Sequence, residues 1–475
     1  MFSLNNILSV ARSAITVQQA AVQVAANNIS NATTEGYSRQ RVVLKPGTPI
    51  QTALGPAATG VRIAAYERMR DPLLDVTFRR DEGKASANGM RRDLLQEMEG
   101  VFGEPSENGL GATLDAFWSA WDDLANDPLS ESARGMVRQR GIQVTSTLQN
   151  ASSELDGVAA NALNRLRGSV EQLNEAGKQV ARLNVEIVAT EAGGATASDL
   201  RDARDRLIDQ MAGIANVRVT EQANGSASVM VENTLFVDGG DSKTLSVGVA
   251  GGSIRVEIVT AAGSVIPLST FAEGSALNET LRVINTDIPA AQARLDNLAN
   301  SLVTQVNSIH LAGFGSADGF AANGVAFFTP PPAGQTVTAR TIELSAAVQL
   351  DASAIASSGA AGQSSDNSVA LQLANLRTSS TSVTLNPGPP ARTESFGGAY
   401  RDLISGIARD TRAAEDSATV FATIVAQTDT RRASVSGVSV DEELISLMQH
   451  QQAYVAATRV VTAVDEMLRD LLAMV

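Results

Sequence analysis

From Val137 to Val180, apolar or small side chains return every three or four residues without a break. They are Val137, Gly141, Val144, Leu148, Ala151, Leu155, Val158 and Ala162, then, after a four-four step, Leu166, Val170, Leu173, Gly177 and Val180. Such spacing marks a helix with one buried stripe, and the four-four step resembles a coiled-coil stutter. Asp127–Pro128 reads as N-cap and first helical residue, and Gly193–Gly194 as the stop. A helix of some sixty residues, at 1.5 Å each, spans roughly 90 Å. That is too long for a compact domain, so an elongated, mainly α, multidomain molecule is expected. The chain's 475 residues, at about 100–200 per domain, leave room for three or four domains.

The two ends carry matching heptads. Leu4, Leu8, Ala11, Ile15, Gln18, Val22, Ala25 and Ile29 form one stripe, and Val10, Ala14, Val17, Ala21 and Val24 a second beside it. Together they cover roughly half the helix cylinder. One partner cannot bury so wide an arc, so burial by several helices, some from other subunits, is expected. Leu447, Tyr454, Val461, Leu468 and Val475 are each seven apart, with His450, Ala457, Val464 and Leu471 between them. Ser439 can cap that helix, and Asp441–Glu442–Glu443 sits at its positive end. The simplest geometry pairs the two end helices, so the chain leaves and returns to one place. Residues 1–30 lack the basic and continuously apolar regions of a cleavable signal.

Helices are expected over 71–100 and over 110–126, the latter anchored by Phe117, Trp118 and Trp121. Ser198–Asp199 restarts a helix through Met211, in which Asp202 and Arg206 are spaced for a pair and Arg201–Arg206 reads as a self-paired solvated face. A return helix over 396–435 could lie against the long helix. Alternating residues over 217–270, punctuated by Asn224–Gly225, Gly239–Gly240 and Gly251–Gly252, spell a small antiparallel β domain. It is expected to project sideways from the rod. A helix from Leu277 to His310 carries a break at Pro289, and short strand-like runs and Ser/Gly/Pro-rich loops fill 313–393. The expected division is 1–35 plus 438–475 as a terminal coiled-coil domain, 36–216 plus 394–437 as a long-helix rod, 217–274 as an inserted β domain and 313–393 as a loop-rich segment. Helix 275–312 is a candidate to join the rod.

Composition narrows the chemistry. Lys plus Arg is 37 and Asp plus Glu is 51, so 37 − 51 = −14. A net acidic chain without a basic run argues against nucleic acid or an anionic membrane surface as partner. The absence of Cys excludes disulfides, thiol nucleophiles and zinc–cysteine sites. The two His, His310 and His450, are far apart in sequence. His310, at a helix end, is expected to hydrogen-bond locally or meet solvent, and His450 to pack. No phosphate loop, zinc-protease or nucleophile-elbow motif occurs. No catalytic residue, cofactor or metal is expected, nor a membrane-spanning run.

Ala26–Asn27–Asn28–Ile29–Ser30–Asn31–Ala32 followed by Thr34–Glu35–Gly36–Tyr37–Ser38–Arg39–Gln40 resembles the N-terminal signature of bacterial flagellar axial proteins. Gln449–His450–Gln451–Gln452–Ala453–Tyr454 and Ala463–Val464–Asp465–Glu466–Met467–Leu468 resemble their C-terminal one. Tyr37–Ser38–Arg39–Gln40 and Asp199–Leu200–Arg201–Asp202–Ala203–Arg204–Asp205 resemble more specifically the hook-associated protein 1 family. The resemblance implies a structural, non-enzymatic adaptor joining flagellar hook to filament, exported through the flagellar type III apparatus and assembled as a ring through its terminal helices. It further implies as partners the hook protein, a second hook-associated junction protein, further copies of the chain and a cytoplasmic export chaperone. A hook or distal rod subunit is the nearest alternative, and a secreted wall-active enzyme with coiled-coil ends a more distant one.

Overall fold

The computed structural model describes residues 2–473 apart from 53–54, 105, 107–108, 261–262, 269–273, 318, 322–323, 381–382 and 385–392. Helix α1 (Phe2–Ser30) leads into an antiparallel hairpin, β1 (Gln40–Pro46) with β4 (Val61–Arg68), whose tip carries β2 (Ile50–Thr52) and β3 (Gly55–Ala57). The sequence reading left this segment within the helical rod. Its alternation is blurred because β1 shifts register between Val43 and Leu44 and most of the hairpin is open to solvent on one face.

Helix α2 (Pro72–Phe102) is capped by Asp71, whose side chain accepts the Leu73 N–H, and α3 (Leu110–Asn126) follows. The long helix α4 runs from Glu131 to Ala192, 62 residues. Its N-cap is Ser130, which accepts the Ala133 N–H at 3.2 Å, and not Asp127. Asp127 instead closes α3 and accepts the Ser130 N–H, a turn that reverses the chain. Every residue of the stripe from Val137 to Val180 is buried.

Helix α5 (Ser198–Ile214) precedes two antiparallel sheets, β5 (Val217–Glu221), β6 (Ala227–Val231), β7 (Thr234–Asp238) and β8 (Asp241–Ser242), then β9 (Thr244–Ala250), β10 (Ser253–Val259) and β11 (Val265–Pro267). The three glycine turns fall where the sequence places them. The β6–β7 turn is made by Glu232 and Asn233, both at positive φ. The sheets lie along α4 and do not stand off from it. Asn184 donates to Ala227 O and Gly239 O and accepts from Ala227 N. A Cβ at Gly177 would meet the Phe236 ring at 2.5 Å, so only glycine lets the sheet approach this closely.

Helix α6 (Ala276–Arg282) passes through a π-helical turn, Val283–Asp287, into α7 (Ile288–His310). The expected break at Pro289 is therefore absorbed without parting the helix. Proline removes one donor, and the wider turn tolerates the loss. Short helices α8 (Ala346–Leu350) and α9 (Ser368–Asn375) and the pair β12 (Val383–Thr384) and β13 (Thr393–Glu394) lead to α10 (Phe396–Ser436) and α11 (Val440–Ala473). Helix α10 packs antiparallel on α2, with Tyr400 against Phe102 and Thr428 on Asp81, and not mainly on the long helix.

At the far end of the rod, Phe117, Trp118, Trp121, Phe327, Phe328 and Phe396 interlock at inclinations from tilted to edge-on, and His310 joins them fully buried. His310 neither meets solvent nor bonds only within its own helix end, the two expected outcomes, but is roofed by two loop segments. Its Nδ1 donates to Val325 O at 2.7 Å and its Nε2 accepts the Ala356 N–H at 2.9 Å. Burial pushes the imidazole down from 6.5 to about 4; the Val325 bond opposes this and the Arg134 cation adds to it. The folded state thus binds the proton less well than the unfolded chain. Stability from this group is complete above pH 6.5 and is lost as pH falls toward 4. At about 1.4 kcal/mol per unit the loss approaches 3 kcal/mol. Urea unfolding of wild type and His310→Gln at pH 7 and pH 4.5 checks this: the variant should lose clearly less stability on acidification.

Candidate assembly surface and its anchor

Helices α1 and α11 lie antiparallel, with Gln18 beside His450 (Oε1 to Nδ1, 2.7 Å) and Asn28 beside Glu443. The residues marked by the heptads, Leu4, Leu8, Ile15, Val22 and Ile29 on α1 and Leu447, Tyr454, Val461 and Leu468 on α11, are all half-buried. Val475 lies outside the described residues. The innermost positions are smaller: Ala11, Val17, Ala21 and Ala25 against Ala457 and Val464. Small side chains bring the axes close and leave the wider arc uncovered. Ile7, Leu444, Ile445, Met448, Val455 and Met467 stay exposed, Ile445 and Met448 at 53 % each.

The polar motif does different work from the heptads. Asn28 is buried, and its amide is fully used: Oδ1 accepts from the Tyr37 hydroxyl (2.9 Å) and the Gln40 N–H (3.0 Å), while Nδ2 donates to Gln40 O (2.9 Å) and Glu443 Oε2 (3.0 Å). Three separate chain segments thus meet on one side chain. Burial, then the carboxylates of Asp199, Asp202 and Glu443, pushes the Tyr37 phenol up to about 12, so its hydroxyl remains a donor. Arg39 pairs with Glu443 at 2.7 Å and Glu442 at 3.2 Å. Ser38 gives both its N–H and its hydroxyl to Asp202, and Gln40 Nε2 donates to Asp199. Gly36 has φ +74°, and a Cβ there would lie 2.2 Å from Arg206 Cδ, which packs across it. Asn27 faces solvent and accepts from Asn31. Gln452 is exposed and Ala453 half-buried.

The acids of α5 are the residues that sequence reasoning misread. Asp202 does not pair with Arg206 on a solvated face. It is buried, takes Ser38 and also receives Arg68 at 2.8 Å. Asp205 accepts Arg68 at 2.8 Å and Arg70 at 2.9 Å, with Arg79 at 3.7 Å. Burial opposes its ionisation, but Arg70, Arg68 and Arg79 outweigh burial and hold its carboxyl below the usual range. Asp209 takes Arg79 and Arg432 at 2.6 and 2.5 Å, and Asp75 takes Arg70 and Arg432 at 2.6 and 3.0 Å. The Arg432 guanidinium also lies over the Phe78 ring, 4.6 Å from its centre. The available signal was that Asp202, Asp205 and Asp209 fall three and four apart, which gathers three carboxylates on one side of the helix.

A family model for the helical domain of the flagellar hook-associated protein FlgK matches residues 95–328. A model for the C-terminal region of the flagellar basal body rod FlgEFG proteins matches 432–474, and one for flagella basal body rod proteins matches 8–37. Flagellar hook-associated protein 1 of Bacillus subtilis is 29 % identical, over 97 % of this chain and 96 % of its own length. The protein of that name in Escherichia coli is 24 % identical, over 96 % and 97 %. Among solved structures, the flagellar hook junction protein FlgK from Burkholderia pseudomallei superposes with a TM-score of 0.63 at 16 % identity, covering 76 % of this chain and all of that one, a likeness of fold. With rod-type signatures on both anchored end helices and a helical domain of this kind between them, the chain is similar along nearly its whole length to the flagellar hook-associated protein 1 family.

Proposed function

We propose that this chain is a non-enzymatic structural subunit of the bacterial flagellum that joins hook to filament, assembling as a ring on the hook tip through its terminal helices. The observation that carries the reading is the α1–α11 pair. Two helices from opposite ends of the chain are held by one polar anchor and still present Leu444, Ile445, Met448, Val455 and Met467 to solvent. Such a density of exposed apolar side chains marks a surface meant to be covered. Further copies of the chain would cover it laterally, with the hook protein below and a second hook-associated protein above. Before export through the type III apparatus, a cytoplasmic chaperone would shield α11. In this reading 1–35 with 438–475 form the inner tube, 36–216 with 394–437 the rod, 217–274 a β domain on its flank and 313–393 the segment roofing its far end.

The long helices α2, α4 and α10 favour this over a hook or distal rod subunit. A wall-active enzyme would need a free acid of raised affinity for protons. Burial does hold Asp296 up, but its Oδ1 accepts the Ala339 N–H at 2.8 Å and serves packing. Immunogold localisation of a tagged chain on hook–basal bodies from a filament-less strain tests the proposal. Label confined to the hook tip is expected. Label along the hook or in the rod assigns the alternative, and none on either overturns both.

A further inference from the structure

We propose that three asparagines of the helical rod, Asn174, Asn184 and Asn285, complete β ladders that lack a strand, and so fix where the β domain sits on the rod. Each presents its side-chain amide to one residue of the domain. It accepts that residue's N–H and donates to its C=O, as a neighbouring strand would. Asn174 on α4 holds Leu245 at 2.7 and 2.8 Å. Asn184 on the same helix holds Ala227 at 2.9 and 2.8 Å. Asn285 holds Ile254 at 2.9 and 2.7 Å. It is the middle residue of the π-helical turn Val283–Asp287, which gives that turn a use beyond absorbing Pro289.

The three contacts fall where the ladders run out. β9 is an edge strand, and Leu245 turns its free side to α4. β7 pairs with β6 over Val229–Val231, short of Ala227, and β11 pairs with β10 over Glu257–Val259, short of Ile254. Apolar burial of Val229, Leu245, Val256 and Ile258 holds the sheets down but is non-directional and tolerates sliding. An amide pair matches the N–H and C=O of one residue, and a slip by one residue points both groups the other way. The first sheet is held at Ala227 and Gly239 and the second at Leu245 and Ile254, so each is tied at two backbone positions. Asn307 of α7 makes the same pair with Phe328, both bonds at 2.9 Å, so the pattern extends beyond the β domain. Asn174, Asn184 and Asn285 are therefore positioning residues, whatever part the chain plays in the flagellum.

The chain has no cysteine, so introduced ones label cleanly. Spin labels at Ser153→Cys on α4 and Thr220→Cys on β5, both exposed, report the placement of the β domain by pulsed dipolar spectroscopy. Labels at Ser153→Cys and Asp416→Cys report the rod alone. One narrow distance is expected for both pairs in the parent chain. Leucine has nearly the shape of asparagine without its polar atoms. Asn174→Leu, Asn184→Leu and Asn285→Leu together should broaden the first distribution severalfold and leave the second narrow. If the triple variant loses its strand signal in circular dichroism, the single variants take its place. Asn184→Leu should then widen the first distribution. Each single variant should also speed hydrogen exchange about ten- to hundredfold in its own strand (β9, β6 or β10) and not in the other two, because it strands one backbone pair. A broad first distribution in the parent, one left unchanged by these variants, or exchange speeded in all three strands alike or in none overturns the proposal.

Discussion

Asp205→Ala is expected to destabilise the rod by about 3–5 kcal/mol, because it strands buried cations and does not merely delete a bond. Arg68 and Arg70 both place an N–H on this carboxylate, and Arg79 lies just beyond. Burial works against the Arg70 charge, and Asp205 and then Asp75 more than compensate, raising its affinity for its proton. Removing one anion leaves four guanidiniums facing three carboxylates in a site that water barely enters. Urea denaturation followed by far-UV circular dichroism measures the cost. Arg41→Ala is the contrast: its pair with Glu67 is half open to solvent on both partners and should cost under about 1 kcal/mol. Equal, small effects for the two substitutions would show that the cluster relaxes by admitting water.

The second large effect is expected in the terminal seam. Val464 is 1 % exposed between α1 and α11, whereas Leu447 on the same helix is half-buried. Val464→Asp puts an unpaired carboxylate in a dry seam, at several kcal/mol. Leu447→Asp can turn its charge toward water and should cost less in the monomer. Because α2, α4 and α10 form their core without the pair, the helical signal of the rod should persist in both. Loss of α1–α11 protection in hydrogen exchange should follow Val464→Asp strongly and Leu447→Asp weakly, while capping of hooks should fail in both. Matching exchange in the two variants would show that the seam has no distinct inner row.

Periodicity made most of the helical frame legible. The stripe along α4 needs no partner information, since thirteen successive small or apolar positions at helical spacing admit one backbone and one buried side. The terminal heptads were legible for the same reason, but only as to face. Which positions sit innermost depends on how closely the axes approach, and that follows from the alanines at 11, 21, 25 and 457 more than from the large residues the eye selects. The polar anchor was half legible. Asn28, Tyr37, Ser38 and Arg39 announced themselves as a motif, but their partners lie from nine to 415 residues away. No local pattern encodes such pairings. Asp202 and Arg206 met a local rule for pairing and broke it, because tertiary donors from Ser38 and Arg68 that fill both oxygens of the Asp202 carboxylate outcompete a surface pair worth a few tenths of a kcal/mol. His310 was misplaced for a similar reason: segments 325–328 and 355–358 bury a helix end that its own sequence leaves open.

The bond between Asn28 and Glu443 closes a loop of 415 residues. For a disordered chain, bringing such distant points together costs about 5 kcal/mol in conformational freedom, before any favourable contact forms. The antiparallel packing of α10 on α2 changes that figure, because it delivers Ser436 to the neighbourhood of Arg39. After that step the remaining search is across a few residues on each side. The rod therefore acts as a template for the end-to-end pairing, and folding has a built-in order. A chain emerging N-terminus first cannot complete its α1 surface until α11 has arrived, so the pair closes after the rod has formed.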